Sequence, residues 1–213
     1  MLNIECFEVG VLATNCYIIT DEESGLSAVI DPGDYSPSLE AKIKSLEENT
    51  VKYIMLTHGH YDHIGYVVPA AKITGAEIVI GKEEEKFLSD GTLNRSFIHN
   101  IDIKPINADL LVGENHKIML GKTEITVLKL PGHTGGSVGY LADGKLFCGD
   151  TLFKGSMGRT DFETGSEQEI MRSLKKLSAL PDSTAVYSGH GQSTAIGEEK
   201  RRNPYMQFAM NRY

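Results

Sequence analysis

The sequence contains little that would stabilise a small secreted scaffold or carry the chain into a membrane. Only three of its 213 residues are cysteine, Cys6, Cys16 and Cys148, and none stands in a C-x-x-C pair. This argues against a disulfide framework or a zinc ribbon and fits a reducing compartment. No apolar run approaches the roughly 20 residues of a membrane helix, and the N-terminus lacks the basic stretch of a signal peptide. We therefore expect a cytoplasmic protein with no membrane contact.

Positive charge is also scarce. Lys and Arg number 21 against 29 Asp and Glu, so the formal net charge is −8. An acidic surface disfavours binding to a phosphate backbone, and we expect no nucleic acid partner. The charged fraction of 23% and the hydrophobic fraction of 40% are those of ordinary globular proteins, which excludes a disordered chain.

The order of apolar runs predicts an α/β chain. The predicted strands are residues 2–9, 15–20, 26–30, 51–57, 77–80, 110–112, 116–120, 124–130, 137–141, 145–148 and 185–188. The predicted helices are residues 36–49, 65–74, 82–88, 166–178 and a polar terminal helix at 197–203. No linker rich in Pro, Ser or Gly divides the chain, so we expect one domain over residues 1–213.

The residues most typical of catalysis follow the buried strand VKYIMLT. They form the pattern H-x-H-x-D-H, with His58, His60, Asp62 and His63. Side chains two apart in an extended segment point the same way, so His58 and His60 can converge on one ion. Asp62 and His63, where the chain turns into a helix, can face a second ion beside it. Imidazole suits zinc and other first-row metals, and carboxylate also accepts manganese or iron. The alternative, a chance cluster of polar loop residues, is disfavoured by this spacing at a strand end.

Three further side chains stand in similar places. His133 lies in PGHTGGS, Asp150 in LFCGDTLF and His190 in YSGHGQS. Each motif is a glycine-containing loop that follows a predicted strand, and ligands of α/β proteins gather at strand ends. One such residue alone is typical of a hydrogen-bonded loop. Together with the four above, they predict a larger metal-binding cluster.

With these residues the chain resembles the metallo-beta-lactamase superfamily, and within it the glyoxalase II (hydroxyacylglutathione hydrolase) group, over nearly its whole length. The resemblance implies a four-layer αβ/βα sandwich, with two mixed β-sheets flanked by helices and the metals in a cleft at one sheet edge. Class B β-lactamases resemble this scaffold but lack a bridging aspartate, so Asp150 points away from them. The ligand set that the resemblance implies is His58, His60 and His133 for one metal, Asp62, His63 and His190 for the other, and Asp150 as the bridge.

The function that the resemblance implies is hydrolysis at a dinuclear metal centre. Two divalent ions, with zinc expected first and iron or manganese as alternatives, lower the pKa of a shared water so that hydroxide becomes the nucleophile. Asp62 is the expected catalytic carboxylate that orients it and accepts its proton. A thiolate leaving group needs little protonation, so we expect a small acyl-thiol substrate such as S-lactoylglutathione. A lactone or ester hydrolase, an iron-dependent persulfide dioxygenase and a non-catalytic metal-stabilised module are the alternatives.

The loop after Asp150 contains one candidate substrate-binding residue, Arg159. In glyoxalase II enzymes a basic residue at this position contacts glutathione, and arginine can pair a carboxylate through two parallel hydrogen bonds. Two positions later, where the family has an aromatic residue, this chain has Asp161, with Phe162 next to it. An ion pair between Arg159 and Asp161 is therefore the alternative.

Larger glyoxalase II enzymes carry a helical extension that supplies more glutathione contacts. This chain ends 23 residues after His190, so we expect no separate glutathione-binding helical domain. His99 lies outside the motifs and is expected on a surface loop. The sequence leaves the oligomeric state and the identity of the thiol open.

Overall fold

Two mixed β-sheets carry most of the chain in the computed structural model, which describes residues 1–47 and 50–213. The first sheet has six strands in sequence order. They are β1 (Leu2–Val9), β2 (Thr14–Asp21), β3 (Ser27–Ile30), β4 (Val51–Leu56), β5 (Glu77–Gly81) and β6 (Leu110–Val112). The first three form an antiparallel meander, and β3 to β6 run parallel.

The second sheet also has six strands, in the order β14-β13-β10-β9-β8-β7. Its strands are β7 (Lys117–Leu120), β8 (Thr123–Lys129), β9 (Val138–Ala142), β10 (Lys145–Gly149), β13 (Ala185–Ser188) and β14 (Thr194–Ala195). Between β10 and β13 the chain forms a small antiparallel ribbon of β11 (Leu152–Phe153) and β12 (Ser156–Met157). Strands β8 and β10 each pair antiparallel with β9, and β13 is parallel to β10, so β8, β10 and β13 point the same way.

The helices lie outside the two sheets. They are α1 (Pro37–Ser45), α2 (Tyr61–Ile64), α3 (Val67–Thr74), α4 (Glu167–Leu177), α5 (Ile196–Arg202) and α6 (Pro204–Arg212), with a 3-10 helix at Lys82–Leu88. Within the described part of the chain, no helix has both the length and the apolar character needed to cross a membrane.

Three apolar clusters separate four layers. Helices α1 and α3 pack on one face of the first sheet, around Ile54. The next residue, Met55, points to the opposite face and packs against Val127 of the second sheet, because side chains alternate along a strand. Helices α4, α5 and α6 cover the far face of the second sheet, around Leu146. Strand β4 is therefore buried on both faces, which explains its continuous apolar run. The predicted four-layer αβ/βα sandwich is confirmed.

The end of the chain differs from the prediction. A polar terminal helix was expected at 197–203, but α5 is followed by a second helix, α6, whose Met206 is fully buried. The Asn203 side chain accepts hydrogen bonds from the backbone N–H groups of Tyr205 and Met206, and Pro204 stands at the first helical position. An Asn cap followed by Pro starts a new helix, a signal that the prediction missed.

The first helix is also shorter than its predicted span of residues 36–49. Helix α1 ends at Ser45, and the backbone of Leu46 is extended. Residues 48 and 49 of the predicted span lie outside the described residues.

Candidate metal centre

The strands that precede the candidate ligands end at one edge of the sandwich. His58 and His60 follow β4, His133 follows β8, Asp150 follows β10 and His190 follows β13. Hydrogen bonds join the two sheets at this edge, from the Val138 N–H to the Thr57 carbonyl (2.8 Å) and from the Asn15 N–H to the Gly189 carbonyl (2.7 Å). Loops that start on different sheets are thereby brought together.

All seven sequence-predicted ligands meet at this edge. Their possible ligand atoms form three groups, and within each group these atoms lie within 4.8 Å of one another. The groups are His58 with His60 and His133, His58 with His63 and Asp150, and Asp62 with His63 and His190. The first and third groups are the two triads that the resemblance implies. The second takes one histidine from each triad together with Asp150, so Asp150 lies between them. We call these seven residues the metal cluster.

Hydrogen bonds on the outer side of the imidazoles orient three of the histidines. The Nδ1 atoms donate to acceptors outside the cluster: His63 to Asp31 (2.9 Å), His133 to the Arg159 carbonyl (2.8 Å) and His190 to the Leu12 carbonyl (3.0 Å). Because Nδ1 carries a proton in each ring, Nε2 is the nitrogen that presents a lone pair to the cluster when the imidazole is neutral. This is the tautomer that a metal ligand requires.

Asp31 orients one histidine of each triad. Its carboxylate accepts from His63 Nδ1 and from both the N–H (2.8 Å) and the hydroxyl (2.6 Å) of Thr57. Since the Thr57 hydroxyl donates to Asp31, it is free to accept from His58 Nδ1 at 3.1 Å. Asp31 was not among the residues predicted from the sequence to take part in the site. The available signal was its position directly after β3, the parallel neighbour of β4.

A second buried carboxylate, Glu84, joins the loops of the two sheets. It is fully buried in the 3-10 helix and accepts from the N–H groups of Gly59 (2.9 Å) and Gly136 (2.8 Å). Gly59 stands between His58 and His60, and Gly136 belongs to the loop of His133. Burial raises the pKa of Glu84, although both N–H groups favour its ionised form. Glu84 was not predicted from the sequence, because nothing there distinguishes it from its exposed neighbours in the run Glu83 to Glu85.

The charges of the cluster favour a cation. Burial alone would raise the pKa of the Asp150 carboxyl, but His63, His133 and His190 hold it well below its usual range. Burial alone would lower the pKa of His63, but the neighbouring carboxylates outweigh this effect and raise the pKa to about 9. The same balance raises the pKa of His190 to about 11. Two ionised carboxylates thus lie among buried imidazoles and draw positive charge to themselves.

Three atoms of the cluster have no hydrogen-bond partner in the described part of the chain. Among the described residues, the buried side-chain nitrogen and oxygen atoms without a hydrogen bond are His58 Nε2, His63 Nε2 and Asp150 Oδ1. Buried polar atoms normally have a partner, so this concentration at one place needs an explanation. Imidazole nitrogens and a carboxylate oxygen are the donors preferred by divalent first-row metals, and the donor set fits such ions.

At position 189, beside the metal cluster, there is room only for glycine. A Cβ atom on Gly189 would lie 2.2 Å from Asp150 Oδ1 and 2.7 Å from His63 Cε1. No side chain fits there without displacing a candidate ligand. The residue before His190 therefore has to be glycine for the cluster to close.

The cluster opens into a cavity of about 680 Å³. Five of its lining residues belong to the metal cluster: His60, Asp62, His133, Asp150 and His190. The others are Leu12, Tyr61, Arg95, His99, Phe153, Ser156, Met157, Arg159 and Phe162. A small molecule in this cavity can reach the cluster directly, while solvent enters from the open side.

Arg159 lines this cavity but is already paired. Its Nε and Nη2 each donate to Asp161 at 2.7 Å, and its side chain is 61% exposed. The ion pair that sequence analysis gave as the alternative is therefore present. The guanidinium also lies 4.2 Å from the ring centroid of Phe162, which supplies the aromatic surface that the sequence lacks at position 161.

His99 was expected on a surface loop, and it is exposed. Its ring nevertheless packs against Tyr61 at 4.8 Å, and both residues line the cavity. Tyr61 stands between the candidate ligands His60 and Asp62. A lone histidine outside any motif carries no signal of such a position.

Comparisons of the sequence and of the structure with known proteins identify the same family. The family model of the metallo-beta-lactamase superfamily matches residues 9–190. The hydroxyacylglutathione hydrolase GloC of Haemophilus influenzae is 37% identical over 212 residues, which are 96% of this chain and 98% of that protein. Among solved structures, the B3 metallo-beta-lactamase BLEG-1 has a TM-score of 0.85 at 32% identity and covers 96% of this chain and 99% of its own. TTHA1623, solved in a di-iron-bound form, has a TM-score of 0.82 at 30% identity, with 94% and 99% covered.

Proposed function

Because the chain belongs to the metallo-beta-lactamase superfamily, we propose that it is a metal-dependent hydrolase of a thioester, S-lactoylglutathione or another S-acyl thiol. The observation that carries this proposal is the metal cluster, in which two triads and Asp150 converge and three buried ligand atoms lack a hydrogen-bond partner among the described residues. The cluster faces a cavity large enough for a small molecule. The similarity to GloC supports the choice of a thioester.

In this proposal each triad holds one divalent ion, and Asp150 is shared between them. Zinc is the expected metal, and iron is the first alternative because a similar structure holds two iron ions. Bound divalent ions lower the pKa of water and stabilise the charge that develops on a carbonyl oxygen.

Asp62 is the proposed catalytic carboxylate. Its Oδ2 lies 3.3 Å from both the Thr14 hydroxyl and His190 Nε2, and it lines the cavity. Burial opposes ionisation, but His63 and His190 lower the pKa of Asp62 below its ordinary value. An ionised carboxylate fixed in this way can orient the attacking water and accept its proton. The thiolate that leaves needs no strong acid, whereas the amine released from a lactam does.

A substrate panel tests the proposal. Protein loaded with zinc, iron or manganese, with metal content measured by elemental analysis, is assayed on S-lactoylglutathione, an acyl-homoserine lactone and a cephalosporin. We expect kcat/KM for the thioester to exceed the other values by about 100-fold or more. Faster turnover of the cephalosporin would overturn the thioester proposal. The cephalosporin is included because the structure of the B3 metallo-beta-lactamase BLEG-1 is so similar to this one. Activity retained in metal-free His58→Ala would also contradict it.

An iron-dependent persulfide dioxygenase is the second candidate, because imidazole and carboxylate ligands accept iron as well as zinc and the similar TTHA1623 was solved with iron bound. Oxygen uptake by iron-loaded protein with glutathione persulfide, together with no thioester hydrolysis, would replace the first proposal by this one.

A further inference from the structure

A second arginine, Arg95, lines the same cavity as the metal cluster. It stands in the irregular segment between the 3-10 helix and β6, where no motif marks it. Its side chain is only 18% exposed. A mostly buried guanidinium beside a candidate catalytic centre calls for a partner of negative charge.

The backbone around Arg95 is anchored to the metal cluster. The preceding residue, Asn94, is 2% exposed, and its carbonyl accepts from the Tyr61 N–H at 2.8 Å. The Asn94 side chain donates to the Phe87 carbonyl and accepts from the Ser96 N–H, both at 2.9 Å. Arg95 itself has a φ of +67°, a conformation that residues other than glycine rarely adopt and that the surrounding contacts must enforce. The position of Arg95 relative to Tyr61, and so to its neighbours His60 and Asp62, is thereby fixed.

Phe162 fixes the guanidinium itself. The Arg95 Cζ atom lies 3.7 Å from the ring centroid, a cation–π contact. The same ring packs edge to face against His60, with centroids 5.4 Å apart. Arg95 is therefore connected to the cluster through its backbone and through its side chain.

Arg95 and Arg159 differ in what their charges already bind. Arg159 uses two donors in a close pair with Asp161. Within residues 1–47 and 50–213, the one hydrogen bond of the Arg95 guanidinium runs from Nη1 to Glu163 at 3.4 Å, near the limit for such a bond. A guanidinium has five N–H donors, so most of those on Arg95 remain available. Both arginines line the cavity, while Asp161 and Glu163 are not among its lining residues in the described chain.

We propose that Arg95 is a specificity-determining residue that binds a carboxylate on the thiol part of the substrate. The planar fork of arginine pairs a carboxylate through two parallel hydrogen bonds, and Phe162 holds that fork in place. The protein then prefers acyl thiols whose thiol carries a carboxylate over neutral ones with the same acyl group. The choice of an acyl thiol rests on the proposed function, but the carboxylate site does not.

Two probes that share the same scissile thioester bond test the preference for a carboxylate. They are S-lactoylglutathione and its diethyl ester, in which both carboxylates are masked. Wild-type protein, Arg95→Gln and Lys154→Gln are compared. Lys154→Gln is the matched control. It removes one positive charge from the same region, but Lys154 donates to Gln192 and does not line the cavity. We expect Arg95→Gln to lower kcat/KM for the diacid by about 10- to 100-fold, mainly through KM, and to change the diester by less than about threefold. Lys154→Gln should leave both values within about twofold.

Calorimetric binding of glutathione and glutathione diethyl ester to the metal-loaded protein separates this inference from the proposed function. If thioesters are not hydrolysed but glutathione binds more tightly than its diester, and only Arg95→Gln removes the difference, the proposed function fails and the carboxylate site stands. Equal affinity of wild type for the two, no binding of either, or an equal effect of Arg95→Gln on both overturns the carboxylate site. Arg95→Lys keeps the charge without the fork, and an intermediate KM is expected for it. It also provides the test if Arg95→Gln does not fold.

Discussion

The metal cluster and the wall formed by Arg95, Phe162 and Arg159 face one cavity, but the protein holds them differently. In the cluster, the buried His58, His63 and His133 and the half-buried His190 are oriented by hydrogen bonds to Asp31, to Thr57 and to backbone carbonyls. In the wall, the two arginines pair with exposed acids and stack on one ring. Solvent screens the exposed pair of Arg159 with Asp161, so it contributes little to stability, and the bond from the mostly buried Arg95 to Glu163 is long at 3.4 Å.

This difference separates what the site does from what it accepts. A cluster in which four histidines are oriented by groups outside it tolerates little change, because replacing a ligand or one of those groups leaves a buried polar atom without a partner. A wall on an irregular segment and an exposed loop can change without loss of the fold. We therefore expect substitutions in the cluster to abolish activity and substitutions in the wall to alter substrate preference.

The largest expected effect is at Asp150, whose carboxylate lies between the two triads. Asp150→Ala should lose bound metal and lower kcat by about a thousand-fold or more, beyond the effect usual for outer partners of metal ligands. Elemental analysis and thioester kinetics on the same sample check this. Asp102→Asn is the control, since Asp102 pairs with the nearby Lys104 and its side chain is 79% exposed. Full metal content in Asp150→Ala would contradict the shared-ligand role.

Gly189→Ala tests how tightly the cluster closes. The new Cβ would meet Asp150 Oδ1 at 2.2 Å, so we expect lower metal content and a loss of about 100-fold in kcat/KM while the fold remains. Gly113→Ala is the matched control, because a Cβ there meets nothing within 4 Å and its φ is unremarkable. Equal metal content in the two variants would show that the close approach does not matter.

Glu84→Gln probes the connection between the sheets at a distance from the metals. The amide keeps one acceptor oxygen, so the N–H of Gly59 or of Gly136 loses its partner. We expect metal affinity, measured by competition with a chromogenic chelator, to fall about tenfold. The exposed neighbour is the control, and Glu85→Gln should leave the affinity unchanged. If both variants bind metal like wild type, Glu84 serves the fold alone.

The smallest effect is expected in the wall. Asp161→Asn breaks the bidentate pair with Arg159, which is exposed on both sides. The melting temperature should change by no more than about 3 °C. KM for S-lactoylglutathione should fall about two- to threefold, because the Arg159 fork becomes available to a carboxylate. A rise in KM would indicate that Asp161 positions Arg159 for binding instead of competing with the substrate.

Much of the fold could be predicted because the strands appear in the sequence as short apolar runs. The run VKYIMLT is apolar on both faces of β4 and was predicted to within one residue of its observed end. Helix α6 was missed because its apolar face is sparse, with Met206 and Ala209 buried and most other positions exposed. One domain over residues 1–213 and a cytoplasmic location stay predictions.

The site divides in the same way. Spacing within H-x-H-x-D-H places four candidate ligands by local geometry, and the glycine loops of His133, Asp150 and His190 mark the rest. Glu84 and Arg95 carry no such mark, and Asp31 has only its position directly after β3.

Short-range pattern therefore specifies the strands, the family and the residues that can hold metal, since all of these depend on periodicity and spacing along the chain. Which of three adjacent glutamates is buried, and which of two arginines keeps its donors available, depends on contacts between segments far apart in sequence. Glu84 reaches across to Gly136, and Arg95 stacks on Phe162, only after the two sheets have packed together. Burial and pairing are properties of that packing, and they determine the electrostatics of the cavity.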